Sequence, residues 1–216
     1  MKLNPDAFNR FAGEIGQRVF WRRAHECPSR NPDSNQHNSA CRACVNGRIW
    51  ETGECTHLAL SGQKLQQAWA SYGQSAGLFE KGDVVCSLPS DVPLYGMGEY
   101  DRVAFIDSSE PFSIAYGVLQ QSVKFKFTVT KVERLFWLDP TLSNVIDGTL
   151  PVVNSDGTIT FGRVAPPANT AFTITGRRVP EYFCFADYPQ DRAHFGGEPL
   201  PRKVILRPFD LFSRAN

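Results

Sequence analysis

The order of apolar and polar residues predicts a chain built mostly from short β-strands. Over 123–130, Val and Phe alternate with Lys and Thr, which places one face of a strand against a core and the other in water. From residue 83 onward, short apolar runs recur between Gly, Pro, Asn and Asp. The strands predicted there are 83–88, 102–107, 112–118, 121–131, 132–138, 158–162, 171–177, 181–186 and 203–207. This spacing predicts an antiparallel β-barrel or sandwich.

Residues 4–16 have helical periodicity instead. Asn4 suits an N-cap, Pro5 the first helical position and Gly16 the exit. The apolar side chains that share one face of this short N-terminal helix are Phe8, Phe11 and Ile15. Two interpretations are open: the stripe packs on the protein's own body, which is the commoner arrangement, or it docks on a neighbouring subunit.

Two further strands enclose a loop rich in cysteine. The strand over 18–21 leads into the loop, and the strand over 47–51 leads out of it. We therefore predict an N-terminal region, 1–60, that contains the helix and a small zinc-stapled loop. The predicted second region, 61–216, is a β-rich domain with a C-terminal arm.

Three segments of the second region carry specific expectations. Residues 64–70 have helical propensity but remain ambiguous. The sequence Asn-Ser-Asp-Gly at 154–157 predicts a hairpin turn. The tail, 200–212, begins as a strand and ends with Phe209 and Phe212 after a proline, so it either closes the protein's own core or forms an arm on a partner.

Composition limits the classes of function. The chain has 216 residues, 42% of them hydrophobic, and can bury a real core. Its net charge of +1 excludes a broad basic field for nucleic acid. Residues 1–16 lack the apolar core of a secretory signal, and no apolar run approaches the roughly 20 residues that span a bilayer. We therefore expect a cytoplasmic site of synthesis and no membrane partner.

In a reducing compartment, clustered cysteines are metal ligands more often than disulfides. Cys27, Cys41 and Cys44 lie in one polar loop, and the Cys-x-x-Cys spacing of the last two aims both thiolates at one ion. His37 is the predicted fourth ligand, because it lies in the same loop just before the Cys-x-x-Cys turn. Three thiolates and one imidazole close the shell, which predicts a structural Zn²⁺. The alternatives for the fourth ligand are Cys55 and, less favoured, His25 and His57.

The other cysteines, Cys86 and Cys184, lie in predicted strands and are expected to be inert core residues. Catalysis has little support, since the sequence contains no phosphate-binding glycine loop. His194 beside Asp191 is expected to be an ordinary loop histidine rather than a general base. The paired carboxylates, such as Glu99 with Asp101, are expected to be solvated.

Three stretches share their pattern with a known family. The first runs over 19–28 and continues from His37 through Cys44 to Gly47. The second covers 82–95 and 100–103, and the third covers 179–183, 189–192, 200–202 and 207–211. Together they resemble the neck or head-to-tail connector proteins of tailed bacteriophages, small β-rich subunits that form rings between the capsid portal and the tail.

The resemblance implies a non-enzymatic virion subunit, of adaptor or stopper type, assembled in the host cytoplasm. Its implied partners are copies of itself in a homo-oligomeric ring and the adjoining neck, portal or tail proteins, with DNA met only by passage through the lumen. The family often has Cys-Pro-Cys where this chain has Cys27-Pro28-Ser29, so a metal here would need His37 or Cys55. The alternative function is a zinc-knuckle nucleic-acid-binding module, and a metal-dependent hydrolase is least favoured.

Overall fold

The structure, a computed structural model, describes residues 4–31, 33–34, 36, 38, 40–41, 43–60, 82–117, 123–187, 194–195 and 198–213. The chain divides into two compact units. Unit 1 combines Met1–Asp107 with Glu181–Asn216, and unit 2 is the inserted segment Ser108–Pro180.

Strands dominate both units. In chain order they are β1 (Gln17–Arg22), β2 (Ala24–Glu26), β3 (Arg48–Trp50), β4 (Glu54–Leu60), β5 (Val84–Leu88), β6 (Arg102–Phe105), β7 (Glu110–Tyr116), β8 (Val129–Leu138), β9 (Val145–Asp147), β10 (Val152–Val153), β11 (Ile159–Thr160), β12 (Phe172–Arg178), β13 (Glu181–Asp187), β14 (His194–Phe195), β15 (Glu198–Pro199) and β16 (Arg202–Pro208). The helices are α1 (Pro5–Ile15) and α2 (Phe209–Ser213), with a 3₁₀ turn at Pro93–Gly96. The prediction of a mostly β protein with a short N-terminal helix is confirmed.

Unit 1 is a closed barrel, one of the two architectures that the strand spacing predicted. Its strands follow the order β1-β4-β5-β16-β13-β6, and every neighbouring pair is antiparallel. The side chains that form its core are Val19, Trp21, Leu58, Cys86, Leu88, Leu94, Met97, Val103, Phe105, Cys184, Val204 and Leu206. Because β1 and β4 pair with β6 and β5, this grouping differs from the predicted division at residue 60.

Helix α1 has the predicted caps. The side chain of Asn4 accepts a hydrogen bond from the Asp6 N–H at 3.1 Å, and the Gly16 N–H donates to the Ala12 carbonyl at 2.8 Å. A Cβ at Gly16 would lie 3.0 Å from the Leu58 carbonyl oxygen of β4, so glycine permits the close approach of helix and barrel.

The face that α1 turns inward is not its most apolar one. Asn9 and Ala12 are buried, whereas the side chains of Phe11 and Ile15 are 52% and 59% exposed. Asn9 fixes this rotation, because its amide donates to the Ser90 hydroxyl at 3.0 Å and accepts from the Ser90 N–H at 3.1 Å. The interpretation that the stripe packs on the protein's own body is therefore wrong for Phe11 and Ile15.

A buried carboxylate fixes the place where β1 turns into β2. Asp101 is only 2% exposed and accepts hydrogen bonds from Trp21 Nε1 at 2.9 Å, from the Ala24 N–H at 2.7 Å and from the Gly98 N–H at 3.0 Å. The expectation that this carboxylate is solvated is wrong. Its neighbour Tyr100 adopts a left-handed conformation, with φ of 68°.

Unit 2 is a second β structure with its own core. Its four-stranded sheet has the order β7-β12-β8-β9, and the predicted 154–157 turn joins the hairpin β10–β11, which is confirmed. The side chains that form the core are Phe112, Val123, Phe125, Leu135, Trp137, Phe172 and Ile174.

The predicted strand 121–131 is wrong over 123–128, although its alternation is correct. Val123 and Phe125 are buried while Lys124 and Lys126 are exposed. The backbone here bonds to the β10–β11 hairpin instead of joining the sheet, with the Phe125 N–H donating to the Gly157 carbonyl at 2.9 Å. The predicted break near residue 131 is also wrong, because β8 runs unbroken.

The tail closes the protein's own core over most of its length. Val204, Ile205 and Leu206 of β16 are buried in unit 1, and Phe209 at the start of α2 is 8% exposed. Residues 64–70, for which a helix was considered, lie outside the described residues. No helix in the described part of the chain is long and apolar enough to cross a membrane.

We expect Asp101→Ala to lower the free energy of unfolding by about 3 kcal/mol, because each buried donor left without its acceptor costs about 1–3 kcal/mol. Urea unfolding measures the loss. Asp107→Ala is the matched control: it removes an exposed carboxylate paired with Arg18 and should cost less than about 1 kcal/mol. Equal losses in the two variants would contradict the role assigned to Asp101.

Candidate metal centre

The cysteine loop is closed at its base by the short hairpin of β2 and β3. Ala24, His25 and Glu26 pair with Trp50, Ile49 and Arg48, respectively. The pairing continues one step further, because the Cys27 N–H donates to the Gly47 carbonyl at 2.8 Å. Cys27 is thereby held beside the chain that carries Cys44.

A two-residue turn follows Cys44. Val45 and Arg48 exchange both backbone hydrogen bonds at 3.0 Å, and the residues between them, Asn46 and Gly47, have φ of 49° and 73°. Two successive positive φ values define a type I′ turn, for which Asn-Gly is the preferred sequence. The Asn-Gly pair at 46–47 is the sequence signal for this turn, and the predicted strand over 47–51 overlaps it by one residue.

The three cysteines predicted as ligands come together at the end of this hairpin. The sulfurs of Cys27, Cys41 and Cys44 all lie within 4.8 Å of one another, and those of Cys27 and Cys41 are 3.7 Å apart. Two thiolates on one tetrahedral zinc ion, with Zn–S bonds of about 2.3 Å, are separated by roughly 3.8 Å. The cluster has the donor type and spacing to hold a metal ion.

Hydrogen bonds to sulfur favour ionisation at one position. The Ser29 hydroxyl, and after it the Ala43 N–H, stabilise the Cys41 thiolate and lower the pKa of this thiol to about 6. Partial burial, followed by the neighbouring Cys41 and Cys27, raises the pKa of Cys44. The neighbouring sulfurs thus disfavour a thiolate at Cys44, and the charge of a bound cation would offset this effect.

Ser29 also belongs to this site, although from the sequence it was only a departure from the family pattern. Its Oγ lies 3.0 Å from Cys27 Sγ, and its hydroxyl also bonds to Cys41. A hydroxyl here supplies a hydrogen bond to thiolate where a second cysteine would supply a ligand. The sequence signal for this hydrogen-bonding role was the position of Ser29, two residues after Cys27.

The predicted fourth ligand, His37, lies outside the described residues. The three alternatives are all described, and none belongs to the cysteine group. Cys55 is exposed on β4 opposite Phe20, and His25 Nε2 lies 3.3 Å from a Glu51 carboxylate oxygen. The fourth ligand stays a prediction.

The other candidates from the sequence do not form a second centre among the described residues. Cys86 and Cys184 are fully buried in the barrel, as expected of inert core cysteines, and burial raises the pKa of both thiols. His57 also lies on β4, where its buried Nε2 has no hydrogen-bond partner within the described part of the chain. Asp191 is outside that part.

Comparison with models of known protein families gave no match, and comparison with curated proteins gave none.

Serine variants test the cluster directly. We expect the wild-type protein to bind one divalent ion per chain, and Cys27→Ser, Cys41→Ser and Cys44→Ser each to lose most of it, because thiolate is the ligand. Elemental analysis of the purified proteins measures the metal, and circular dichroism checks the fold. Full metal content in all three variants would rule out the site.

Alanine variants test the hydrogen bond from Ser29 and identify the fourth ligand. Removing an outer-shell hydrogen bond with Ser29→Ala should weaken metal affinity by roughly 10–100-fold. His37→Ala should weaken it by more, and Cys55→Ala should leave it unchanged. A chelator competition titration measures the affinities. Loss of affinity in Cys55→Ala, with His37→Ala unaffected, would reverse the assignment.

Proposed function

We propose that this protein is a non-enzymatic structural subunit that works by assembling into a homo-oligomeric ring. In this proposal a structural Zn²⁺, bound by Cys27, Cys41, Cys44 and His37, holds one loop in a fixed shape for contact with neighbouring subunits. The ring is part of the head-to-tail connection of a tailed bacteriophage.

The observation that carries the assembly proposal is the exposed apolar face of α1. Phe11 and Ile15, four residues apart, project from the same side of the helix while Asn9 and Ala12 pack inward. A helix that turns its large apolar side chains to solvent gains nothing from them in the isolated chain. Burial against another subunit would recover about 25 cal/mol for each Å² of apolar surface.

Unit 2 adds a second exposed apolar region. Its exposed large apolar side chains are Leu138, Leu142, Val145, Ile146, Leu150, Val152 and Val164. Two of them, Val145 and Ile146, belong to β9, the short strand at one edge of the sheet, and Leu138 of β8 pairs with Val145. Edge strands with exposed apolar side chains are common points of contact between chains. Rings need two different surfaces on each subunit, and two exposed regions meet that requirement.

The choice of zinc rests on the donor set. Thiolates are soft ligands that favour zinc, copper(I) and iron–sulfur clusters, and a Cys-x-x-Cys turn with a further cysteine and a histidine is typical of structural zinc. A shell closed by four protein ligands leaves no position for water, so the ion would serve folding rather than catalysis.

The biological setting comes from the sequence resemblance to phage neck proteins. The barrel, the metal loop and the inserted β unit are compatible with such a subunit. The alternative, a nucleic-acid-binding knuckle, has less support because two described arginines of this region, Arg30 and Arg48, have other partners. Arg30 and Arg48 contact Glu26, and the guanidinium of Arg48 also lies 4.4 Å from the centre of the Tyr100 ring.

We expect light scattering and electron microscopy of the purified protein to show closed rings at high concentration. The double variant Phe11→Ser with Ile15→Ser should shift the protein toward monomer, because it removes the apolar face of α1. Arg10→Gln is the matched control on an exposed position of the same helix and should leave the size unchanged.

A protein that stays monomeric at every concentration and binds DNA at physiological salt would contradict the assembly proposal and favour the knuckle. Unchanged ring size in the double variant would exclude α1 as the contact.

A further inference from the structure

The turn beside the metal ligands contacts the C-terminal helix. Asn46, two residues after Cys44, donates a hydrogen bond from its side-chain amide to the backbone carbonyl of Phe212 in α2. Helix α2 has five residues, too few to be stable alone, and its last carbonyls have no partner within the helix. The turn of the metal hairpin supplies one.

The opposite strand of the hairpin contacts the same helix through aromatic rings. Trp50, at the end of β3, meets Phe209 and Phe212 edge-on, with ring centroids 5.4 and 6.0 Å away. Its indole N–H donates to the Tyr100 carbonyl at 3.0 Å, so the ring is fixed against the barrel as well. Edge-to-face pairs of this kind contribute about 0.5–1.5 kcal/mol each beyond their buried area.

The barrel forms the other side of this aromatic cluster. The Phe212 ring lies 5.1 Å from Phe183 of β13 and 5.6 Å from Tyr100. The Arg102 guanidinium lies 4.0 Å from the centre of the Phe209 ring. Phe212 therefore lies between the hairpin and the barrel.

The base of the hairpin is anchored to the barrel by the Ala24–Asp101 and Trp50–Tyr100 hydrogen bonds, so its cysteine-bearing end is the part that a metal ion would fix. Its strands β2 and β3 have three residues each, and isolated two-stranded hairpins are marginal in water. The chain between Cys27 and Cys44 is mostly polar. A metal ion bound by the three thiolates would join the end of β2 to the start of the Asn46-Gly47 turn.

We infer that metal occupancy of the Cys27, Cys41 and Cys44 cluster controls the docking of helix α2. With the ion bound, the hairpin presents Asn46 and Trp50 to the helix; without it, the helix is released from the barrel. The inference rests on the metal site proposed above. Linkage is reciprocal, so a docked α2 also tightens metal binding.

Hydrogen exchange read by mass spectrometry tests the coupling. The zinc-loaded full-length protein is compared with the same protein after chelation. Peptides covering α2 and β3 should exchange faster without zinc, whereas peptides from β8 in unit 2 should not change. Identical exchange of α2 in the two states, with zinc shown to bind, would overturn the inference and leave the metal site standing.

The reverse direction uses variants outside the ligand set. Phe212→Ala should weaken zinc affinity by about fivefold or more, the lower end of typical coupling between sites. Asn46→Gly keeps a residue that tolerates positive φ and removes the side-chain amide that donates to Phe212, so it should raise α2 exchange with zinc still bound. Leu60→Ala, at an exposed apolar position at the end of β4, is the control and should change neither quantity.

The outcomes separate this inference from the proposals on which it draws. Failure of the wild-type protein to bind added Zn²⁺ would remove the metal site and the coupling together. Binding with equal zinc affinity in wild type and Phe212→Ala would remove the coupling alone. Ring size is measured independently, so loss of the assembly proposal affects neither.

Discussion

The buried carboxylate of Asp101 is the constraint on which the arrangement of unit 1 depends. One side chain receives the indole of Trp21 from β1, the backbone of Ala24 at the start of β2 and the backbone of Gly98. These bonds set the direction in which the chain leaves the barrel and enters the hairpin. A buried carboxylate that accepts three hydrogen bonds is costly to remove, because its donors would then be buried without an acceptor.

From this point the structure continues as one connected series of contacts. The hairpin leaves the barrel at Asp101, its turn places Cys44 beside Cys27, and its second strand places Trp50 against α2. The hairpin strands and the helix are too short to be stable alone, so each depends on its contacts with the others. A metal ion at the end of the hairpin is the kind of interaction that makes such a series cooperative, because metal binding energy becomes folding energy.

The sequence was sufficient for most of the strands, for a barrel or sandwich and for the three cysteines, because alternation and ligand spacing are local signals. It was not sufficient where a single long-range contact decides the outcome. Asn9 turns the apolar face of α1 outward by bonding to Ser90, 81 positions away. Asp101 accepts hydrogen bonds from Trp21 of β1 and Ala24 of β2, and the residues next to it in sequence do not indicate these partners. Unit 2 is an insertion between β6 and β13, and only their pairing shows it.

X-ray absorption spectroscopy at the zinc edge of the purified full-length protein tests the central claim most directly. The account predicts one zinc ion per chain with three sulfur neighbours at about 2.3 Å and one nitrogen at about 2.0 Å. That result would establish the cluster as a closed structural site. Zinc surrounded only by oxygen and nitrogen, or a fully folded protein that holds no metal when zinc is supplied, would contradict it.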